Sequence, residues 1–98
     1  MKNSMSSIWD FLYSCESDNE CKEQVQVLID NGADITAEDN YAVQRAAGNG
    51  YIETVRLLIE HGADITADYN LAVQLSAQNG ETEMVKFLIE NGATFPAK

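Results

Sequence analysis

Few residues in this chain could act as a nucleophile or a base. The one histidine, His61, stands directly before a glycine, where an imidazole can interact with the last carbonyls of a helix. Ser76 would need a second histidine to activate it, and its counterpart thirty residues earlier is Ala46. We therefore expect His61 to close a helix and Ser76 to be a small packing residue, and the sequence predicts no catalytic residues.

The two cysteines, Cys15 and Cys21, could in principle form a disulfide or bind a metal. A disulfide framework needs more pairs, and a zinc site needs further Cys or His nearby. The chain also lacks a phosphate-binding loop, a dinucleotide fingerprint, an HExxH motif and an EF-hand spacing. We expect two reduced thiols, no metal site and no cofactor.

Several carboxylates recur at a spacing of thirty residues: Asp34 pairs with Asp64, and Glu53 pairs with Glu83. A paired-carboxylate active site needs two acids held on converging elements, and nothing singles out such a pair here. The recurrence predicts instead that these acids belong to a repeated structural unit, at helix ends and on solvated faces.

Acidic residues dominate the charge of the chain. Asp and Glu total 16 against 6 Lys and Arg, for a formal net charge of −10 in 98 residues, a length that fits one domain. This charge repels phosphate, so we expect no binding to nucleic acid or anionic membranes and favour a protein partner with a basic surface. No segment has a bilayer-spanning apolar run, and residues 1–8 lack the apolar core of a signal peptide. We expect a cytoplasmic location, with the nucleus as the alternative.

An internal repeat organises the sequence. Residues 38–67 and 68–97 are identical at fifteen of thirty positions, and residues 28–37 repeat residues 58–67 with two substitutions. We therefore divide a single domain, residues 1–98, into a divergent N-terminal capping repeat at 7–37 and two regular repeats at 38–67 and 68–97.

Each regular repeat predicts two helices. Asn40 and Asn70 are good N-caps for a first helix, whose apolar face includes Val43 and Ala47 and which an Asn-Gly turn ends. The second helix carries an apolar stripe, an opposite wet face, and a glycine just past its end. In the second repeat the stripe is Ile52, Val55, Leu58 and Ile59, the wet face is Glu53, Arg56 and Glu60, and the glycine is Gly62.

The first repeat has different start signals. Residues 7–10 and 17–20 both match the Ser-x-x-acid capping pattern. The first signal predicts a helix with Ile8, Trp9, Phe11 and Leu12. The second predicts a helix with Val25, Leu28 and Ile29.

Two segments resemble the ankyrin repeat. Residues 62–67, GADITA, are similar to the ankyrin GADVNA segment, and residues 49–59, NGYIETVRLLI, are similar to its NGHLEVVKLLL helix. The resemblance is clear over residues 25–98. It implies an all-α solenoid of three stacked helix-turn-helix units and a non-catalytic function in protein recognition.

The chain departs from the ankyrin pattern in two ways. The Thr-Pro-Leu-His start of the first helix is replaced by Tyr41-Ala42-Val43-Gln44, and Gln44 and Gln74 could take over the histidine's role of tying neighbouring repeats together. The repeat is also shorter than the usual period of about 33 residues, and the loss before Asn40 should truncate the family's hairpin finger or remove it. Such short repeats are similar to those of giant-virus ankyrin proteins, which suggests a viral origin.

The candidate contact residues are the loop and first-helix positions at which the regular repeats differ, because a solenoid binds through positions that do not need to agree. In the ankyrin family these positions fall on the concave inner face and its rim. Tyr41 and Leu71 could instead cover the core of a neighbouring repeat. The candidate residues are Glu38, Asp39, Tyr41, Arg45, Gly48, Asp68, Tyr69, Leu71, Leu75 and Gln78.

The C-terminal repeat offers an alternative function. It keeps Leu75, Phe87, Leu88 and Ile89, and no polar cap is evident after it. The alternative is therefore a self-assembling, homo-oligomeric structural protein, such as a homodimer formed through the C-terminal repeat, or a fragment of a longer ankyrin array that associates through this face.

Overall fold

The computed structural model describes residues 15–94, and this range contains helices and no strand. The helices are α1 (Asp18–Asp30), α2 (Ala37–Gly48), α3 (Ile52–Glu60), α4 (Ala67–Gln78) and α5 (Thr82–Glu90). Helices α2 and α3 pack as a pair, as do α4 and α5, while α2 lies against α4 and α1 against α3. The predicted all-α repeat solenoid is confirmed. The helix expected after Ser7 lies outside the described residues.

Helix α1 begins where the capping pattern predicts. The Ser17 hydroxyl accepts a hydrogen bond from the Glu20 N–H at 3.1 Å, and the Glu16 N–H donates to the Glu20 carboxylate at 3.1 Å. These two bonds satisfy backbone donors near the helix start. Val25 faces the core and is fully buried, and Leu28 and Ile29 pack against it.

The first turns of α2 and α4 differ from the prediction, because their backbone is left-handed before the right-handed helix begins. Asn40 and Asn70 do not cap their own helices; each ends a three-residue left-handed turn with φ near +60°, formed by residues 38–40 and 68–70. The Asn40 side-chain oxygen instead accepts from the Asp64 N–H at 2.8 Å, in the loop that follows α3. Asn70 accepts from the Thr94 N–H in the same way, at 3.2 Å. The two asparagines therefore tie helix starts to the loops that close their own repeats.

The ends of α1, α3 and α5 follow the sequence signals. Gly62, for example, has φ of +99°, a conformation open to glycine, and the Ala63 N–H bonds back to the Leu58 carbonyl at 3.0 Å. His61 Nδ1 lies 3.1 Å from the Leu57 carbonyl oxygen, as expected of a residue that closes the helix.

The core runs through all the repeats. Of the predicted apolar stripe of α3, Val55 and Leu58 are fully buried, and Ile52 and Ile59 are half-buried. Leu57, which was not part of the predicted stripe, is also buried. The opposite face of α3 is exposed, as predicted, and Arg56 Nε there lies 3.4 Å from the Glu53 carboxylate. This pair is solvated and contributes little to stability.

Candidate partner-binding surface

The ten candidate contact residues lie on α2, on α4 and on the left-handed turns that begin them. Glu38, Asp39, Asp68, Tyr69 and Gln78 are exposed, and Tyr41, Arg45, Leu71 and Leu75 are half-buried. Nine of the ten residues are therefore at least partly accessible to a partner. They lie on neighbouring elements, because α2 packs against α4. Their assignment to a binding surface stays a prediction.

Gly48 does not belong to this surface. It is buried, and a Cβ added there would lie 3.4 Å from Leu75 Cβ. Its carbonyl oxygen accepts a hydrogen bond from Asn79 Nδ2 at 2.8 Å. Gly48 differs from its counterpart Gln78 because the third repeat covers it, so the variation reflects packing between repeats.

We call the two left-handed turns, residues 38–40 and 68–70, the tips. Gln44 Nε2 donates to the Asp39 carbonyl at 2.8 Å, and Gln74 Nε2 donates to the Tyr69 carbonyl at 2.7 Å. The expectation that these amides link neighbouring repeats is wrong, since each fixes the tip of its own repeat. The same backbone turn and glutamine hydrogen bond thus carry different side chains in the two repeats.

On α2, Tyr41 and Arg45 make an aromatic and cationic contact. The Arg45 guanidinium carbon lies 5.8 Å from the centroid of the Tyr41 ring. Tyr41 also packs partly against the core. The Tyr41 side chain therefore serves the fold and is half-exposed on the candidate surface at the same time.

The side of the molecule that carries the tips is acidic. Residues 31–44 and 61–74 contain no lysine or arginine. In the loop before each tip, a threonine at Thr36 or Thr66 donates its hydroxyl to Asp34 or Asp64 at 2.7 Å and its N–H at 2.9 Å. These bonds lower the pKa of both aspartates, with the hydroxyl as the main cause. Both carboxyls therefore stay charged to lower pH and act as structural parts of the repeat.

The lowered pKa of Asp64 predicts a pH dependence of stability. The folded chain binds this proton less tightly than the unfolded chain, so the hydrogen bonds stabilise the fold above about pH 4. Their contribution is lost as the pH falls through the folded-state pKa. We expect wild type to be more stable than Asp64→Asn at pH 7, and the difference to shrink in acid. Urea unfolding at a series of pH values measures it. Glu83→Gln, which removes another exposed charge, is the control, and a difference independent of pH would contradict the prediction.

Polar bonds between repeats are the main feature that the sequence analysis missed. The Asp18 carboxylate of α1 accepts from the Glu53 N–H at 2.8 Å and from the Thr54 N–H at 2.9 Å, and thereby caps α3. The Thr54 hydroxyl, which is buried, donates to the same carboxylate at 2.8 Å. In the third repeat Met84 stands at the position of Thr54, so the hydroxyl contact is particular to the second repeat.

Ser76 likewise does more than fill space. It is fully buried, and its hydroxyl lies 2.8 Å from the Ala72 carbonyl oxygen and 3.0 Å from the Ala47 carbonyl oxygen. The first contact is within α4, and the second connects α4 to α2. Ser76 is therefore a packing residue, as predicted, with an added hydrogen bond between repeats.

The cysteines lie beside the Asp18 cap. Tyr51 donates its hydroxyl to the Cys15 carbonyl at 2.8 Å, and Cys21 is fully buried. Burial raises the pKa of the Cys21 thiol to about 12 and also raises the pKa of Cys15. Cys21 is therefore a protonated core residue at neutral pH, without the thiolate that nucleophilic chemistry needs.

The described residues form no cavity for a ligand, so a ligand would bind at their surface. Within residues 15–94 no pocket opens, and no three His, Cys, Asp or Glu side chains converge as metal ligands. No helix in this range is long and apolar enough to cross a membrane.

Comparison with known proteins agrees with the fold. A family model described as ankyrin repeats matches residues 11–98 as three copies. A comparison with curated proteins gives no match. The match extends over most of the chain and agrees with the packed helix pairs of the fold. The chain belongs to the ankyrin repeat family.

Proposed function

We propose that this chain binds a protein partner through the face formed by α2, α4 and the two tips. Ankyrin repeats are generally protein–protein interaction modules, and the family is typically non-catalytic. One observation carries the proposal for this face. The tips have the same backbone angles and the same glutamine hydrogen bond, yet they present Glu38 and Asp39 in one repeat and Asp68 and Tyr69 in the next.

The charge of this face supports a basic partner surface. The tips and the loops before them carry aspartate and glutamate and no lysine or arginine, so their field attracts cationic groups and repels phosphate. The proposal therefore includes no nucleic acid and no membrane as partners. It also gives the association a marked dependence on salt, because exposed charges are screened.

The test reverses charge at the tips. The partner is first captured from the source cells with the immobilised chain, identified by mass spectrometry and made as a purified protein. Asp39→Lys with Asp68→Lys should then weaken its affinity about tenfold, mainly through slower association, in calorimetry and surface plasmon resonance. The matched control, Glu23→Lys with Glu83→Lys, changes the net charge equally on α1 and α5. Equal losses in both pairs would contradict the assignment of the face.

A second candidate function is self-association through the C-terminal repeat. Ala47 and Gly48 are buried under the third repeat, whereas their counterparts Ala77 and Gln78 are exposed, and Ile89 is 45% exposed. A longer ankyrin array would also cover these positions. Light scattering after size exclusion distinguishes the candidates: a dimer that Leu75→Glu dissolves supports self-association, whereas a concentration-independent mass near 10.8 kDa contradicts it.

The origin and location of the chain belong to the same proposal. The short repeats with a Tyr-Ala-Val-Gln helix start support a viral source, in which case the partner is a host protein. The location that we propose is the cytoplasm, with the nucleus as the alternative. Fluorescence imaging of the tagged chain in infected or transfected cells tests the location.

A further inference from the structure

Tyr69 is placed where a large aromatic side chain is unfavourable for the fold alone. It is 86% exposed, and its φ of 60° and ψ of 42° lie in the left-handed region. Asparagine and aspartate enter that region more readily than other non-glycine residues, and the counterpart in the second repeat is Asp39. A costly residue that is retained on an exposed backbone is a candidate for function.

The backbone under Tyr69 is fixed on both sides. Gln74 donates to the Tyr69 carbonyl at 2.7 Å, and the side chain of the next residue, Asn70, accepts from Thr94 at 3.2 Å. The Asn70 N–H also bonds to the Thr66 carbonyl at 2.9 Å. The ring is therefore presented by an ordered tip, so that less conformational entropy is lost when a partner binds.

We propose that Tyr69 and the adjacent Asp68 receive an arginine side chain of the protein partner, with the guanidinium stacked on the ring. This inference rests on the proposed function and names the chemistry of its partner. Residues 61–74 supply Asp64 and Asp68 and contain no lysine or arginine that could compete for the ring. A planar guanidinium stacks on an aromatic face and pairs with a carboxylate at its edge, which an ammonium group does less well.

The same chemistry already occurs twice inside the molecule. Arg56 lies 5.1 Å from the centroid of the Phe87 ring, and Arg45 lies 5.8 Å from that of Tyr41. Both aromatic residues are half-buried. Tyr69 differs because its ring faces solvent and can take a guanidinium from another molecule.

The experiment compares two cationic probes, hexa-arginine amide and hexa-lysine amide, in NMR titrations of the 15N-labelled chain. In wild type we expect the largest shifts at residues 68–70 and an affinity for the arginine peptide about two- to fivefold higher than for the lysine peptide. Tyr69→Phe should keep this preference. Tyr69→Asp should abolish it, although it adds a negative charge that would strengthen purely electrostatic binding.

A second measurement separates binding from folding. Tyr69→Asn should leave the Tm unchanged or raise it by roughly 4 °C, because asparagine suits the left-handed backbone. A lower Tm would make Tyr69 a structural residue and overturn the inference. Equal affinity for the two peptides, or tighter arginine binding to Tyr69→Asp, would also overturn it. These outcomes would not affect the charge-reversal test of the proposed function. Conversely, if the charge-reversal variants kept their affinity for the partner while the preference for the arginine peptide remained, only the proposed function would be refuted.

Discussion

Replacing Leu58 by alanine should lower the free energy of unfolding by about 3 to 5 kcal/mol. Leu58 is fully buried in α3, which packs against both α1 and α2, so the truncation leaves a cavity that several elements would have to move to fill. Total stabilities of small domains are about 5 to 15 kcal/mol, so this loss is a large share. Urea unfolding followed by circular dichroism measures the change.

Two controls show whether the effect comes from the centre of the array. Leu88→Ala removes the equivalent fully buried side chain of α5, and Val27→Ala shortens a side chain that is 57% exposed. In a solenoid each repeat is stabilised by its neighbours, so we expect Leu88→Ala to loosen the third repeat first and Leu58→Ala to destabilise the whole array. A loss for Leu58→Ala as small as that for Val27→Ala would contradict the packing described for α3.

Replacing Asp18 by alanine should cost about 2 to 3 kcal/mol. The substitution removes the acceptor for the N–H groups of Glu53 and Thr54 and leaves the buried Thr54 hydroxyl with a weaker set of bonds. It also removes a negative charge from the positive end of the α3 dipole. Thermal and urea unfolding measure the loss, and amide hydrogen exchange should show faster opening at the start of α3.

The repeat itself supplies the matched control for Asp18. Thr54→Met introduces the residue that the third repeat has at this position, Met84, and removes the hydroxyl that needs the carboxylate. In a double-mutant cycle, Asp18→Ala should cost less in the Thr54→Met background than in wild type, because part of the penalty is the loss of the hydroxyl's bond to the carboxylate. Additive costs would show that the two side chains act independently.

The helices were predictable because the thirty-residue repeat and the helical spacing of the apolar residues indicate the same segments. Val55 and Leu58 recur as Val85 and Leu88, and both sets lie at helical spacing beside a glycine that ends the helix. The Ser17 cap was predictable for a similar reason, since its oxygen bonds to a donor three residues away. Local bonds of this kind depend only on nearby residue types.

The tips could not be predicted, because the same asparagine fits two different backbones. Asn40 is as suitable for an N-cap as for a left-handed residue, and both positions precede a helix. The choice depends on the Asp64 N–H, which lies 24 residues further along the chain. Gln44 was misassigned for the same reason, since its acceptor exists only once the left-handed turn has formed.

Which candidate contact residues are exposed was predictable only in part. Variation between repeats identified the exposed tip residues, such as Asp39 and Tyr69. It also selected Gly48, which differs from Gln78 because a following repeat covers only the former. Variation between repeats alone does not distinguish an exposed position from one that a neighbouring repeat covers, and the packing of α2 on α4 supplies that distinction.

The bonds from Asn40 to Asp64 and from Asn70 to Thr94 span the same 24 positions of chain. Each of the two regular repeats therefore contains both the donor and the acceptor of this hydrogen bond. The bond does not depend on where the repeat stands in the array. If a regular repeat is duplicated or deleted, this bond stays complete within every regular repeat that remains. The side chains at the tips can thus diversify without changing this bond, whereas the bonds that join one repeat to the next, such as that between Asp18 and Thr54, differ from one junction to another.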